Sequence, residues 1–251
     1  MSLTAFITGA TSGIGKATAR LFAKNNINLI ICGRRTEKLQ ELQQELSTLT
    51  KVHTLQFDVR YKDQVQQAIG NLPDEFKHID ILINNAGNAH GLSSIQEGSI
   101  DDWDAMIDGN VKGLLYVSKA IIPQMVDRNN GFILNIGSIA SKEVYPNGNV
   151  YCASKFAVDA LNKGMRIDLN KHNVRVSAIH PGFVETEFSD VRFKGDIERA
   201  KTVYQGYKAL QPEDIADIIY FVISRPYHVN IEDLVVYPTA QATASIINKN
   251  A

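Results

Sequence analysis

The sequence has few of the features that define several common classes of protein. Only two of the 251 residues are cysteines, Cys32 and Cys152, and two isolated cysteines form neither a disulfide framework nor a metal-ligand spacing. No apolar run approaches the roughly 20 residues that cross a bilayer. The formal net charge is only -1, so no basic surface for nucleic acid or an anionic membrane is expected. We therefore expect small molecules and copies of the same chain as partners.

No targeting segment is expected at the amino end. Residues 3–7 have the apolar pattern of a β-strand, which leaves no room for a charged region, an apolar stretch and a cleavage site. A cytoplasmic protein is expected, because the reducing cytoplasm suits unpaired cysteines. With 44% hydrophobic and 21% charged residues, residues 1–251 are long enough to bury the core of one α/β domain.

A glycine-rich segment follows that first strand. Residues 8–15 read Thr-Gly-Ala-Thr-Ser-Gly-Ile-Gly, and apolar residues then recur at helical spacing. Glycine tolerates the positive φ angles of a tight turn, and the start of a helix offers unpaired N–H groups to an anion. The segment therefore predicts a site for a dinucleotide pyrophosphate. A plain turn between strand and helix is the alternative.

Two arginines follow the second predicted strand, residues 28–32. An NAD-selective site places a carboxylate here for the ribose 2′-hydroxyl, whereas this sequence has Arg34 and Arg35. Two guanidinium groups suit the 2′-phosphate of NADP, because each can donate charge-assisted hydrogen bonds to it. The alternative is a solvated pair of charges that opens the next helix, residues 37–46.

Three further runs, residues 53–57, 79–83 and 132–136, are predicted strands, and the run at 79–83 is almost continuously apolar, which is typical of a central parallel strand. Because they alternate with helical patterns, they predict a Rossmann-like, doubly wound parallel sheet flanked by helices. Ligands bind such sheets beyond the carboxyl ends of the strands. Residues 84–87, Asn-Asn-Ala-Gly, and Ser138 are therefore candidates for the site.

Asp58 and Val59 follow the first of these runs. The Asp58 carboxylate is placed to reach an adenine amino group, or to cap the helix that begins near Asp63, and the two roles are compatible. The last strand is expected at residues 234–237, and it completes the sheet.

A long helix is predicted from Asp102 to Pro123. It is apolar on more than one stripe, so we expect the sheet to cover one side and a second subunit the other. Gly109 and Asn110 are weak helix formers in its middle, which predicts a bend.

Tyr151 and Lys155 stand four residues apart, which places them on one face of a helix. A free tyrosine has a pKa of about 10, and a neighbouring positive charge lowers it. Tyr151 is therefore a candidate proton carrier. An exposed helical pair of little consequence is the alternative for these two residues taken alone.

Together these motifs resemble the short-chain dehydrogenase/reductase family from residue 3 to about residue 235. The matching features are Thr8-Gly9-x-x-x-Gly13-x-Gly15, Asn84-Asn85-Ala86-Gly87, Asn110, Ser138, Tyr151-x-x-x-Lys155 and Pro181-Gly182. Residues 186–189, 191–196 and 212–215 further resemble the branch of NADP-dependent 3-hydroxy acid dehydrogenases, which includes serine and L-allo-threonine dehydrogenases.

The resemblance implies a role for each catalytic candidate. Tyr151 exchanges a proton with the substrate hydroxyl while hydride moves between the same carbon and NADP. Lys155 lowers the pKa of the phenol and binds the nicotinamide ribose. Ser138 holds the substrate oxygen, and Asn110 links Lys155 to solvent through a water. No metal is implied.

The resemblance also implies a cofactor-binding set along one edge of the sheet, and a backbone contact to the nicotinamide after the strand at residues 174–179. The set is Gly9, Thr11, Ser12, Gly13, Ile14, Gly15, Arg34, Arg35, Asp58, Val59, Asn85, Ala86, Gly87, Tyr151, Lys155, Pro181, Gly182, Val184 and Thr186. His180 is expected to close that strand rather than to catalyse.

Residues 189–208 combine mixed charge with several aromatic residues, and we expect them to cover the cleft as a lid. Arg192 and Lys194 are candidates to pair with a substrate carboxylate, and the branch resemblance favours Arg192, beside Ser138 and Tyr151, as the substrate-binding set. A solvated loop whose charges bind nothing is the alternative.

The expected protein is an oxidoreductase that transfers a hydride between NADP and the 3-hydroxyl of small 3-hydroxy acids such as L-serine, L-allo-threonine or 3-hydroxyisobutyrate. A broader carbonyl or 3-oxoacyl reductase is the second interpretation, and a non-catalytic NADP-sensing regulator is the third. A homo-oligomer, a tetramer by resemblance, is expected, with no nucleic acid or membrane partner.

Overall fold

The computed structural model describes residues 2–196, 198 and 202–249, and in that part of the chain the backbone is built on a seven-stranded sheet. The strands are β1 Thr4–Thr8, β2 Asn28–Gly33, β3 Val52–Gln56, β4 Ile81–Asn84, β5 Gly131–Ile136, β6 Val174–Pro181 and β7 Asp233–Val236. Their order is β3-β2-β1-β4-β5-β6-β7, and every neighbouring pair is parallel. The predicted doubly wound parallel sheet is confirmed.

Helices cover both faces of the sheet. They are α1 Gly13–Lys24, α2 Thr36–Leu46, α3 Lys62–Gly70, α4 Ile100–Ile107, α5 Gly113–Asp127, α6 Asn149–Leu169, α7 Phe188–Arg192 and α8 Pro212–Ile223. A π-helical turn, Asp108–Lys112, joins α4 to α5, and a short 3₁₀ turn, Ile139–Ser141, follows β5. None of the described helices combines the length and the apolar character needed to span a membrane.

The core has two layers because successive strand residues point to opposite faces of the sheet. In β1, Ala5 and Ile7 pack on the side of α1, α2 and α8, whereas Phe6 packs on the side of α3 and α5. All three side chains are fully buried. Burial of a large apolar side chain stabilises the fold by about 1.5–3 kcal/mol, so the sheet is a rigid support for the loops at its edge.

The segment predicted as one long helix is two helices joined by the π turn. The predicted bend at Gly109 and Asn110 is confirmed. The predicted end at Pro123 is wrong, because α5 continues to Asp127. Proline removes one helical hydrogen bond, but Val117 and Ile121 on the same helix are completely buried against the sheet, and that packing outweighs the loss.

The direction in which the chain adds strands reverses between β1 and β4. Loops that leave these two strands diverge to opposite faces of the sheet and open a crevice at its carboxyl edge. The glycine turn after β1 and the loop after β4 form the two sides of this crevice.

Candidate active site

A cavity of about 610 Å³ lies at this edge of the sheet. It extends from the arginines after β2 to the first turns of α6, with α7 on the outer side. Among the predicted site residues, Gly15 and Asn110 do not line it. The others do: Gly9, Thr11, Ser12, Gly13, Ile14, Arg34, Arg35, Asp58, Val59, Asn85, Ala86, Gly87, Ser138, Tyr151, Lys155, Pro181, Gly182, Val184, Thr186 and Arg192.

The glycine turn is a cradle that side chains would fill. Gly9 and Gly13 have φ angles of +65° and +51°, a region that favours glycine. A Cβ at Gly9 would lie 2.9 Å from the Ala86 Cα, and one at Gly13 would lie 3.1 Å from the Thr186 Cγ2. Because α1 begins at Gly13, and Gly13 and Ile14 line the cavity, the unpaired amides at the start of this helix fit the pyrophosphate of a dinucleotide.

Gly15 has a different place from the one predicted. It does not line the cavity, and a Cβ there would lie 2.5 Å from the Asn85 Nδ2. Its missing side chain lets the turn pack on the loop after β4. That loop is also tied to Thr8, whose hydroxyl oxygen accepts from the amides of Asn85 at 2.9 Å and Ala86 at 2.8 Å.

Arg35 lies beside the glycine turn and is held there by hydrogen bonds to three side chains. It donates to the hydroxyl oxygens of Thr11 at 2.9 Å and Ser12 at 2.8 Å, and to the Glu187 carboxylate at 2.7 Å. Lys38 donates to the other oxygen of the same carboxylate at 2.7 Å. Partial burial raises the pKa of Glu187, but the hydrogen bonds from Lys38 and Arg35 outweigh it and hold the pKa at about 2.

Arg34 points toward Asp58 but remains accessible. Its Nη1 lies 3.9 Å from the Asp58 carboxylate, and 63% of its side chain is exposed. A ligand at this edge thus meets one accessible guanidinium and one that is held by the glycine turn. The donor chemistry of the pair fits a phosphate group.

Asp58 is bound more tightly than the sequence suggests. Its carboxylate accepts from the Arg60 guanidinium at 2.7–3.1 Å and from the Arg60 backbone N–H at 3.0 Å. Burial raises the pKa of Asp58, but these bonds outweigh it and the pKa lies below its usual range. The predicted cap on α3 is wrong, because Tyr61 holds the N-cap position. The carboxylate still lines the cavity, so the adenine contact stays a prediction.

Tyr151 and Lys155 lie together on α6, and both side chains are buried, with 8% and 6% exposed. This excludes the alternative of an exposed helical pair. The Lys155 Nζ donates to the Ile136 carbonyl oxygen at 3.0 Å. Burial lowers the pKa of Lys155 to about 8, since the charged form is the one that burial penalises.

The pKa of Tyr151 does not move in the predicted direction. Burial raises it above its usual range, Tyr145 adds to the increase, and a hydrogen-bonding interaction with Ser138 and the charge of Arg192 only partly oppose it. The prediction that Lys155 lowers this pKa is therefore wrong for the structure as it stands. The physical reason is that burial penalises the phenolate more than the neighbouring groups favour it.

Ser138 is fixed by a reciprocal cap on the turn after β5. Its Oγ accepts from the Ala140 N–H at 3.1 Å, and the Ser141 Oγ accepts from the Ser138 N–H at 3.2 Å. The Ser138 side chain also has a hydrogen-bonding interaction with the Tyr151 hydroxyl. A substrate oxygen that meets both would be held in one orientation.

Asn110 lies behind the cavity in the π turn, and its side chain is fully engaged. The amide oxygen accepts from the Asn88 N–H at 2.7 Å, while the Nδ2 donates to the Asn88 carbonyl oxygen at 2.9 Å and to the Ser154 Oγ at 3.0 Å. The side chain therefore ties the loop after β4 to α6. A water link from this region to Lys155 stays a prediction, and it would use a backbone carbonyl that the π turn frees.

Arg192 lies over the catalytic candidate, whereas Lys194 does not. The Arg192 Cζ is 5.4 Å from the centre of the Tyr151 ring, and its guanidinium donates to the Tyr145 hydroxyl at 3.0 Å and the Gly91 carbonyl oxygen at 3.2 Å. Lys194 pairs with Asp102 at 3.0 Å. The lid predicted at residues 189–208 is described except for residues 197 and 199–201, which lie outside the described residues.

His180 belongs to a charged cluster beneath the Ser138 turn. It is fully buried in β6, and its Nδ1 lies 3.3 Å from the Ser138 carbonyl oxygen. Lys142 joins the carboxylates of Asp159 and Asp233 next to it. Burial lowers the pKa of His180 to about 4. His180 does not line the cavity, in agreement with the expectation that it closes the strand.

The sequence-based predictions did not include several residues near the cavity. Glu187 and Lys38 complete the charged edge, and Tyr145 and Phe188 pack around the Tyr151 ring, with Phe188 at 5.8 Å between ring centres. Phe188 lies within the predicted segment that resembles the dehydrogenase branch, so a signal existed for it. No local sequence pattern pointed to Lys38, because its partner Glu187 is 149 positions away.

Comparisons with known proteins agree on one family. The model of the short chain dehydrogenase family matches residues 3–196. The NADP-dependent 3-hydroxy acid dehydrogenase YdfG of Salmonella typhi is 45% identical over 96% of each chain. Sulfoacetaldehyde reductase 2 of Chromohalobacter salexigens is 43% identical over 96% of each chain. The solved closed form of a serine dehydrogenase complexed with NADP+ superimposes with a TM-score of 0.93, at 43% identity over 97% of this chain and 98% of the other.

Proposed function

The chain belongs to the short chain dehydrogenase family, and from that premise we propose that it transfers a hydride between NADP and the 3-hydroxyl of small 3-hydroxy acids. It is an NADP-dependent oxidoreductase that acts on CH–OH groups. This sets aside the interpretation as a non-catalytic sensor. The choice of 3-hydroxy acids, such as L-serine, L-allo-threonine or 3-hydroxyisobutyrate, and the role of each residue are the proposal.

The observation that carries the proposal is the joint burial of Tyr151 and Lys155 at the wall of one cavity, beside Ser138. A buried phenol and a buried ammonium have no structural reason to share a cavity wall, since each costs desolvation energy. Groups with pKa values displaced by burial in a cleft are candidates for proton transfer. Ser138 adds a hydroxyl that is already fixed by its turn.

Each residue then has one task. NADP, when bound, supplies or accepts the hydride. Tyr151 holds the proton that the carbonyl oxygen gains on reduction, or accepts the proton that the hydroxyl loses on oxidation. Ser138 orients that oxygen, and Lys155 donates to the nicotinamide ribose hydroxyls. Because burial keeps Tyr151 protonated, reduction begins with the acid in place, and oxidation is favoured as the pH rises.

The replacement of Tyr151 by Phe tests this assignment. The ring is preserved and only the hydroxyl is lost, so NADP binding, measured by fluorescence titration, should remain within about twofold. Turnover should fall by at least about 10²–10⁴, the usual contribution of a positioned acid or base. Turnover close to that of the unmodified chain would remove Tyr151 from the chemistry.

We further propose that Arg192 binds the acid group of the substrate. The guanidinium lies over the Tyr151 ring, and both Tyr145 and the Gly91 carbonyl hold it there. A carboxylate two bonds from the reacting carbon would then lie within reach while its hydroxyl meets Tyr151. Lys194 is engaged by Asp102, so it is the matched control on the same segment.

A substrate panel tests the Arg192 proposal. The panel contains L-serine, L-allo-threonine, 3-hydroxyisobutyrate, 3-hydroxypropionate and alcohols without a carboxylate, each assayed by nicotinamide absorbance. Arg192→Gln should raise KM for the acids by roughly 10- to 100-fold, since hydrogen bonds to charged groups contribute about 1.5–3 kcal/mol, and Lys194→Gln should change it little. Equal activity toward the alcohols would instead favour a broader carbonyl or 3-oxoacyl reductase.

A second candidate function is the reduction of an aldehyde that carries a sulfonate. The relative named sulfoacetaldehyde reductase 2 is nearly as similar as the 3-hydroxy acid dehydrogenase, and a guanidinium can also donate charge-assisted hydrogen bonds to the oxygens of a sulfonate. Sulfoacetaldehyde with NADPH belongs in the same panel. A kcat/KM that exceeds the values for all the acids would favour this candidate.

We also propose that the chain forms a homo-oligomer, a tetramer by family resemblance. Leu115 on α5 and Phe156 and Ile167 on α6 are exposed apolar residues, and a covering subunit would remove them from water. Light scattering at several concentrations tests the subunit count, and a monomer throughout would refute it.

A further inference from the structure

The carboxylate of Glu187 occupies the charged edge of the cradle. Its two oxygens accept from the Arg35 Nη1 and the Lys38 Nζ, each at 2.7 Å. The remaining Arg35 donors are directed at the hydroxyls of Thr11 and Ser12 on the glycine turn. Two cations from the start of α2 are thus focused on one anion that comes from the segment before α7.

The same Arg35 side chain is the one proposed to bind the 2′-phosphate of NADP. A phosphate monoester carries a charge of about -1.5 to -2 near neutral pH, whereas Glu187 carries one negative charge. Two anions on one pair of cations repel each other, and the phosphate also gains the accessible Arg34. The group with the larger charge and more acceptor oxygens is therefore favoured at this position.

We propose that Glu187 is an internal counter-anion that holds the 2′-phosphate subsite and is displaced by the phosphate, and that Lys38 is an additional residue that recognises the phosphate. This inference rests on the proposed placement of the NADP phosphate at Arg34 and Arg35. The inference gives Glu187 a part in cofactor selection. NADP displaces the Glu187 carboxylate with its phosphate, whereas NAD, which lacks the phosphate, leaves the Glu187 contacts in place and gains no ion pair.

The exchange is feasible because these groups are near the surface. The side chains of Arg35, Lys38 and Glu187 are 42%, 41% and 44% exposed, so a change of partner requires little desolvation. Glu187 stays ionised throughout the neutral range, since its pKa is held at about 2. Competition with the phosphate therefore operates at every pH at which the protein is expected to work.

A matched control lies on the other side of α1. Both Glu45 oxygens accept from the Arg20 guanidinium, at 2.7 and 2.8 Å, and the two side chains are 41% and 43% exposed, so distances and exposure match those at Glu187. Neither residue lines the cavity. Glu45→Gln thus removes an exposed ion pair outside the cradle. Comparison with this variant separates the general effect of losing a surface carboxylate from the specific effect of losing Glu187.

The test is isothermal titration of the full chain with 2′,5′-ADP and with 5′-AMP, two probes that differ by the phosphate in question. Glu187→Gln should tighten 2′,5′-ADP binding by roughly 3- to 10-fold, the effect of relieving two exposed charge interactions, and leave 5′-AMP unchanged. Glu45→Gln should change neither. Lys38→Gln should weaken 2′,5′-ADP binding, and by a larger factor when Glu187→Gln is already present.

The outcomes separate this inference from the function it rests on. If Glu187→Gln leaves 2′,5′-ADP binding unchanged or weakens it, the counter-anion role is overturned. If Arg35→Ala still abolishes the preference for 2′,5′-ADP over 5′-AMP, the phosphate subsite is kept. If Arg34→Ala with Arg35→Ala leaves the preference intact, the phosphate subsite itself is misplaced. If Lys38→Gln has no effect in either background, its recognition role is refuted.

Discussion

The two ends of the cavity handle charge in opposite ways. At the cofactor-phosphate end, Arg35, Lys38 and Glu187 are near the surface and every charge has a close counter-charge. At the catalytic end, Lys155 is buried, the backbone carbonyl of Ile136 is the hydrogen-bond partner of its ammonium, and burial displaces its pKa and that of Tyr151. Binding needs charges that exchange partners at little cost, whereas proton transfer needs groups whose ionisation is displaced by burial.

The difference implies different sensitivities. Substitutions at the exposed end should alter ligand affinity and leave the fold intact, because surface ion pairs contribute little to stability. Substitutions at the buried end should change folding and chemistry together. Each prediction below tests one side of this comparison.

The largest effect on cofactor affinity is expected at the exposed end. Arg34→Ala combined with Arg35→Ala should weaken NADP binding by roughly 10- to 100-fold, since the lost hydrogen bonds are to a charged group. NAD binding should change by less than about twofold, and the melting temperature should be nearly constant. Fluorescence titration with both cofactors measures the ratio. Equal losses for the two cofactors would contradict the assignment of the phosphate.

The second effect is a gain in stability at the buried end. Lys155→Met removes a charge that burial disfavours, which stabilises the fold, but it also leaves the Ile136 carbonyl without its donor, which offsets part of the gain. The free energy of unfolding should therefore rise by only about 1–2 kcal/mol at pH 7. The folded pKa of Lys155, about 8, lies below that of the unfolded chain. The unfolded chain therefore binds the extra proton above pH 8, and the unmodified protein gains stability as the pH rises through that window.

Denaturant titrations at several pH values from 7 to 10 measure this second effect. The advantage of the variant should shrink as the pH rises, because the unmodified protein recovers stability and methionine does not titrate. A constant difference, or a variant that is less stable at pH 7, would show that Lys155 is not a destabilising group. Glu45→Gln again serves as the control, since it alters an exposed pair.

The smallest effect concerns the cluster under the Ser138 turn. Burial lowers the pKa of His180 to about 4, Asp233 and Asp159 raise it, and Lys142 lowers it. Lys142→Met should therefore move the pKa of His180 upward, which a proton NMR titration would detect. No change would mean that burial alone keeps His180 neutral. The result decides whether the ionisation of His180 is set by burial, as at the catalytic end, or by neighbouring charges, as at the exposed end.

Much of the fold was predictable because its signals are local. The apolar runs of the strands, the glycines that accept positive φ at Gly9 and Gly13, and the weak helix formers at Gly109 and Asn110 each act within a few residues. Sequence spacing also placed Tyr151 and Lys155 on one face of α6. Pro123 was misjudged, since the local cost of proline gives no information about how deeply the helix is packed.

The charge states were less predictable because they depend on distant partners and on burial. Glu187 meets Arg35 across 152 positions of sequence, and no local pattern announces such a pair. The pKa of Tyr151 was assigned from its neighbour at four residues, whereas the structure shows that burial dominates. For Asp58, an adenine contact or a cap on the next helix was expected, and the ion pair with Arg60 was missed although that residue is only two positions later.

The π turn at Asp108–Lys112 has one more consequence. Such a turn holds one residue more than a regular α-helical turn, and successive residues of a helix are rotated by about 100° around its axis. Deleting a single residue there would restore an unbroken helix and rotate the face of α4 relative to α5, so that Asn110 could no longer bridge Asn88 and Ser154. The additional residue thus sets the rotation between the two helices: α5 packs on the sheet, while α4 presents its buried face to the cluster around Tyr151.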